Sequence, residues 1–293
     1  MRGASPSSPS HLFLLAAAVA SLSSLVLADG TVWATPHDSY SSSVGVLGCK
    51  INTDRVAYWP GSVDCNNICI SLSYADRNLK LLRIDQSQGA YDISYDAWNY
   101  LYTGNSAKKL PVSGGPLAME YKELPADDCK DLIKIKSKKL PLSASNSMNF
   151  LASCLGQADS WVGSNYALYN MLDSVCSWGY DESCELEDWP NANQPTCKHS
   201  LGMPVELKDA PVYNVQYPSG DVVEASTGEV VSTPEDSTSA AVPSPTTYNS
   251  MQNGASTMGM LTMLAFSSFF WTRIDAVEKS DVSSIISSIG AVD

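Results

Sequence analysis

The stretch Gly89-Ala90-Tyr91-Asp92-Ile93-Ser94-Tyr95-Asp96-Ala97-Trp98 decides how the rest of the chain is read. Ser94 stands where a helix cap is expected, because its hydroxyl can accept from the free amide of Ala97. Asp96 falls in the first turn, where the helix dipole favours negative charge, and Ala97, Trp98 and Leu101 repeat at helical spacing. The pattern predicts a helix from Ser94 to Tyr102, closed by Gly104, with Asp92 between a tight turn and the helix start.

Working outward, Ile70, Leu72 and Tyr74 alternate with polar residues, Ala75-Asp76-Arg77-Asn78 supplies a turn, and Leu79 to Ile84 returns as an apolar strand. This predicts a β-hairpin. Beyond the helix a polar loop runs to Gly114-Gly115, and Leu117, Met119 and Tyr121 give a further strand. Residues 29–128 therefore read as one small β-rich core, with the help of disulfides.

The chain has 293 residues, but its ends do not read as fold. Leu12 to Ala28 is an apolar run behind a segment carrying Arg2, and Val26-Leu27-Ala28 suits signal peptidase, so residues 1–28 are expected to be a signal peptide. All eight cysteines (Cys49, Cys65, Cys69, Cys129, Cys154, Cys176, Cys184 and Cys197) follow that cut, and an even count on a secreted chain predicts four disulfides. Three precede residue 100 and five follow it, so if all pair, an odd number of bridges joins the front half to the back. Zinc is disfavoured, since only His37 and His199 follow the cut and there is no CxxC pair. No metal and no cofactor are expected.

A formal charge of −13 argues against a nucleic-acid partner, which needs an excess of Lys and Arg. The local exception is Lys130, Lys134, Lys136, Lys138 and Lys139, alternating with Ile133 and Ile135, which is expected to be a solvated strand or hairpin face. Residues 129–202 read as a Cys-rich helical subdomain. Ser143 or Ser145 can cap a helix ending at Gly156, and Asp159 can cap a second one carrying Trp161, Val162, Leu168, Leu172 and Val175.

From Met203 to Thr257 periodicity is lost, and the Ser, Thr and Pro content predicts a disordered, O-glycosylated stalk. Residues 258–293 open with the apolar run Met258 to Trp271 behind the small residues Asn253-Gly254-Ala255. That is the layout of a glycosylphosphatidylinositol signal with attachment at Asn253, although a polar extension, Thr272 to Asp293, is atypical of one. Any membrane contact is expected through this lipid anchor only.

Chemistry-bearing residues are few. Asp85, Asp92 and Asp96 cluster around the helix start, and paired carboxylates are what polysaccharide cleavage requires; helix capping accounts for Asp96 more simply. Among the aromatics, Trp98 reads as core, while Tyr58, Trp59 and Tyr91 are candidates for stacking on sugar faces. There is no GxSxG, no glycine-rich phosphate loop and no supply of histidines for a nucleophile-base pair.

These residues resemble a known group. Gly89 to Trp98 is similar to the G-x-H-F-D-L-S-x-x-A-F signature of expansins, barwin-like proteins and family 45 endoglucanases, which share a six-stranded double-psi β-barrel. Gly48-Cys49, Cys65 and Cys69 stand where these families place early cysteines. Ile84-Asp85 resembles their V-x-D strand end, and Gly115 to Pro125 looks like the closing strand of expansins. The match covers about residues 38–129.

The resemblance implies a mainly β chain whose double-psi barrel is followed by the helical subdomain and the stalk. Asp92 matches the aspartate that serves the endoglucanases as general acid. Ala90 replaces the histidine of the signature, and no Tyr-Trp-Asp equivalent near Asp38 to Ser43 supplies a base. The implied function is a secreted, fungal-type wall protein, monomeric, that binds or loosens wall polysaccharide without hydrolysis. The expected ligand-binding residues are Tyr58, Trp59, Asp85, Tyr91 and Asp92. The alternatives are an endoglucanase-like enzyme with Asp92 as catalytic acid, and a protease inhibitor or host-interaction protein, as some barwin-like barrels are.

Overall fold

The computed structural model describes residues 29–234. The expected signal peptide, Asn253 with the expected anchor signal, and the distal part of the expected stalk lie outside the described residues.

The chain opens with β1 (Asp29–His37), β2 (Val56–Pro60), β3 (Cys69–Tyr74), β4 (Arg77–Ser87), β5 (Tyr91–Ser94), α1 (Tyr95–Thr103) and β6 (Leu117–Leu124). The six strands close into a barrel in the order β1-β5-β2-β4-β3-β6. Pairs β1–β5 and β2–β4 are parallel and the other four antiparallel. Alternation sends Val32, Ala34, Ala57, Ile70, Leu72, Leu81, Ile93 and Met119 into one core, where the inward face of α1 adds Ala97, Trp98 and Leu101. The predicted hairpin is β3–β4, with Ala75 in the left-handed region (φ 53°) at its tight turn.

Helix α1 falls where the spacing placed it. Gly104 ends it in the left-handed conformation (φ 83°), and its N–H bonds the Tyr100 carbonyl. Ser94 occupies the cap position but does not bond the helix: its Oγ accepts from the Val56 N–H at 3.4 Å, since the strand bearing Ser94 lies against β2.

The barrel strands β2 and β4 are apolar on their outer side as well. Val56, Leu82 and Ile84 join a second core with Val46, Leu47, Ile51, Leu142, Leu151, Leu168 and Met171. The elements covering them are β7 (Leu140–Ser143), α2 (Met148–Leu155), α3 (Trp161–Ser164), β8 (Tyr166–Met171), β9 (Gly179–Glu185) and β10 (Thr196–Cys197).

This corrects the expected helical subdomain. Its frame is a four-stranded sheet, β10-β9-β8-β7, with two short helices. Helix α2 ends at Gly156 as predicted, but the long helix from Asp159 is a single turn capped by the Ser160 hydroxyl, which accepts from the Gly163 N–H at 2.9 Å. Tyr166 to Met171 is instead an inner strand between parallel β7 and antiparallel β9. The strand Tyr166-Ala167-Leu168-Tyr169-Asn170-Met171 is apolar at nearly every position and so carries no clean alternation, which is why helical spacing could mimic it.

The lysine segment is likewise no strand or hairpin. Residues Ala126–Leu132 form a 3-10 helix, Ile133 is buried, and Lys138 sits in a turn with φ 54°.

The four expected disulfides are Cys49–Cys176, Cys65–Cys154, Cys69–Cys129 and Cys184–Cys197. Three of them, an odd number, join the front half to the back. Part of the expected stalk also folds: β11 (Tyr213–Val215), β12 (Val222–Glu224) and β13 (Val230–Ser232) make a small antiparallel sheet. Val212, Val215 and Val223 are buried, and the Tyr217 hydroxyl bonds both the N–H and the carbonyl of Gly114. These few anchors are too sparse to register as periodicity, yet they suffice to dock a short hairpin.

Candidate functional site

Strand register builds the site. Parallel β1–β5 pairs Thr35 with Asp92, and antiparallel β2–β5 pairs Asp92 with Tyr58. Between β2 and β4 the register shifts at Ala57/Tyr58, so that Asp85, one residue beyond Ile84, faces Tyr58. A bulge of this kind re-aims a side chain. The result is one row across four strands, Thr35, Asp92, Tyr58 and Asp85, on the outer side of the barrel.

The two carboxylates of the row are engaged differently. Asp85 is buried; its Oδ2 accepts from the Ser41 hydroxyl, and its Oδ1 from the N–H groups of Ser43 at 2.7 Å and Gln86 at 2.8 Å. Three donors leave it little capacity to activate a water, and they tie the loop after β1 to β4. Asp92 is half-buried and accepts from the Thr35 hydroxyl.

Between them the Tyr58 phenol is pushed well above its ordinary pKa, first by burial, then by the charge of Asp85, with Asp38 and Asp92 adding to it; a backbone hydrogen bond at Ser41 opposes the shift. Tyr58 therefore stays protonated. Its ring meets His37 with centroids 4.3 Å apart. The crevice beside His37, Ser39, Tyr58 and Ser94 measures about 10 Å³, the room of one water.

Asp96 is a structural group. It is 3% exposed, pairs with the Arg55 guanidinium at 2.9 Å, and accepts from the Ser106 hydroxyl and the Ala107 N–H, so it clamps the start of α1 to two loops.

The aromatic candidates separate. Tyr58 and Trp59 are buried, and Trp59 packs edge-on against Tyr91 at 4.9 Å and Tyr121 at 5.8 Å. Tyr91 is half-buried. The exposed ring is one that reading from the Asp92 motif passes over: Trp33, 64% exposed, on β1. It lies two residues before Thr35, hence on the Asp92 side of the strand and roughly 7 Å along it. The signal for it was present in Thr31-Val32-Trp33-Ala34-Thr35, whose alternation sets Trp33 with the polar residues.

Among the described residues no group of three or more His, Cys, Asp or Glu is placed to hold a metal ion. No family model matches the chain, and no curated protein or solved structure matches it either.

The arrangement offers an exposed indole, a half-exposed carboxylate that can accept hydroxyl hydrogen bonds, and a neutral phenol at its side. It provides no nucleophile with a base, and its second carboxylate is occupied by hydrogen bonds.

Proposed function

We propose that this is a secreted wall protein that holds polysaccharide on the outer face of its barrel without cutting it. The observation that carries the reading is the pairing on one face of exposed Trp33 with half-exposed Asp92, while Asp85 is taken up by three donors. An indole face suits the apolar face of a pyranose ring, and a carboxylate suits its hydroxyls. Hydrolysis would require a second carboxyl free to act as base.

The barrel is assigned to the double-psi class of expansins and barwin-like proteins. Two parallel pairs, β1–β5 and β2–β4, joined through antiparallel β5–β2, support that assignment. So does the position of Asp92 beside α1. A glycosylphosphatidylinositol anchor at Asn253, presenting the barrel at a fungal-type cell surface, completes the reading.

Co-sedimentation of the secreted chain with chitin, β-glucan and cellulose tests it. The chain is expected to pellet with at least one polymer, Trp33→Ala to stay largely in the supernatant, and reducing ends to remain at background. Failure to pellet with any of them overturns the proposal. Release of reducing ends that disappears in Asp92→Asn would establish an endoglucanase-like enzyme instead.

A further inference from the structure

A groove of about 610 Å³ has Ser177, Trp178, Glu206, Lys208, Tyr213 and Glu224 among its lining residues, and Tyr213 also borders the small crevice beside Tyr58. This is within the ~300–1,000 Å³ range of small-ligand sites. Both walls are fixed. On one side the segment Val205 to Leu207 runs along Ser177 to Gly179, with Gly179 N–H bonding the Val205 carbonyl at 2.7 Å and Leu207 N–H the Ser177 carbonyl at 2.8 Å. The neighbouring Cys176 is bridged to Cys49. On the other side β11 and β12 pair Tyr213 with Glu224, and buried Val212 and Val223 anchor them.

Two large rings stand open in this groove, Trp178 at 45% and Tyr213 at 41% exposure. Asp173 Oδ1 accepts from the Ser177 N–H at 2.9 Å and holds the backbone that carries Trp178. The charge balance narrows the ligand. Glu206 and Glu224 face one lysine, Lys208, which is itself paired with Glu206 at 3.1 Å, so an anionic polymer is disfavoured.

We infer that this groove is a second saccharide-binding site, taking a short neutral oligosaccharide with its rings against Trp178 and Tyr213 and its hydroxyls on Glu224. The choice of ligand class rests on the polysaccharide reading above; the site itself stands on its own residues. Two sites on one chain, one built on Trp33 and one on Trp178, would let the protein grip a polymer at two places and gain avidity that neither has alone.

Calorimetric titration of the full secreted chain with cellohexaose, laminarihexaose and chitohexaose tests the inference. At least one hexamer is expected to bind, with Trp178→Ala weakening that binding about ten-fold and Glu224→Gln by less. The titration of Trp33→Ala is expected to keep the component that Trp178→Ala removes. If no hexamer binds, if Trp178→Ala titrates like the parent chain, or if Trp33→Ala alone abolishes all binding heat, the groove is not a saccharide site. Failure of polymer co-sedimentation in Trp33→Ala bears on the barrel face only, so the two readings fail separately.

Discussion

In the barrel every strand has a strand neighbour on each side, whereas the sheet β10-β9-β8-β7 does not close on itself: beyond β7 lies a short segment, residues 45–47, with the Leu47 N–H on the Pro141 carbonyl at 3.0 Å and the Ser143 N–H on the Gly45 carbonyl at 2.8 Å. The barrel carries its own core of Val32, Ile70, Leu81, Ile93 and Trp98, while the later sheet shares its core with the outside of β2 and β4. Three covalent ties make up that deficit by fastening the later part to the front half. A closed ladder removes edges and supports itself; an open sheet over a borrowed core requires cross-links.

The largest test of this contrast removes one tie. Replacing Cys65 and Cys154 together by Ala opens a loop of 89 residues and is expected to cost about 4 kcal/mol. In urea, the region after Ala126 should then unfold ahead of the barrel; a single transition at the parent midpoint would break the comparison.

A barrel-side counterpart is Asp96→Ala, which leaves the partly buried Arg55 guanidinium without its carboxylate and is expected to cost about 3 kcal/mol. Thermal melting checks it, and an unchanged midpoint would place the stability of the barrel elsewhere.

In the sheet, Gly179 has φ +114°, and an added Cβ would lie 2.3 Å from the Asn170 carbonyl oxygen. Gly179→Ala is therefore expected to cost about 2 kcal/mol or more, and hydrogen exchange should locate the loss in β8 and β9 and spare β1 to β6.

Smaller again is the effect of Trp33→Ala on stability, about 0.5 kcal/mol or less because the ring is mostly in solvent. Its effect should fall on polymer binding, so equal melting curves with unequal pelleting would separate function from fold.

The least is expected from Glu182, on β9. Burial raises its pKa, but hydrogen bonds from the Asn170 side chain, the His199 N–H and the His199 imidazole outweigh this and hold it at about 2. A depressed carboxyl stabilises the fold above its unfolded value and loses that contribution as pH falls. The melting temperature should thus decline between about pH 4.5 and 2, and Glu182→Gln should flatten the decline over that window.

What could be read from the sequence followed from local signals. Helix α1 is marked at both ends, the β3–β4 hairpin by alternation around a turn, and the bridge parity by counting. Strand β8 and the docked residues 212–224 escaped because tertiary contacts decide them: Tyr166 to Met171 is apolar at nearly every position, and three buried valines leave no period. At the site, Asp92 was visible from its motif, but the occupation of Asp85 depends on a bulge and on Ser41 and Ser43 more than 40 positions away. Trp33 is legible in its own strand, where alternation sets it with Thr31 and Thr35, but it lies outside the Asp92 motif.

The three ties between front and back are nested, Cys69–Cys129 inside Cys65–Cys154 inside Cys49–Cys176. Under the proposed secretion the chain would enter an oxidising compartment from its N-terminus, and Cys129, Cys154 and Cys176 would arrive in that order. Each newcomer can close on the next cysteine outward, and each closure shortens the flexible path that remains for the one after it. The pairing thus matches the direction of delivery, so that the barrel can be stitched to its neighbour from the inside out as it emerges.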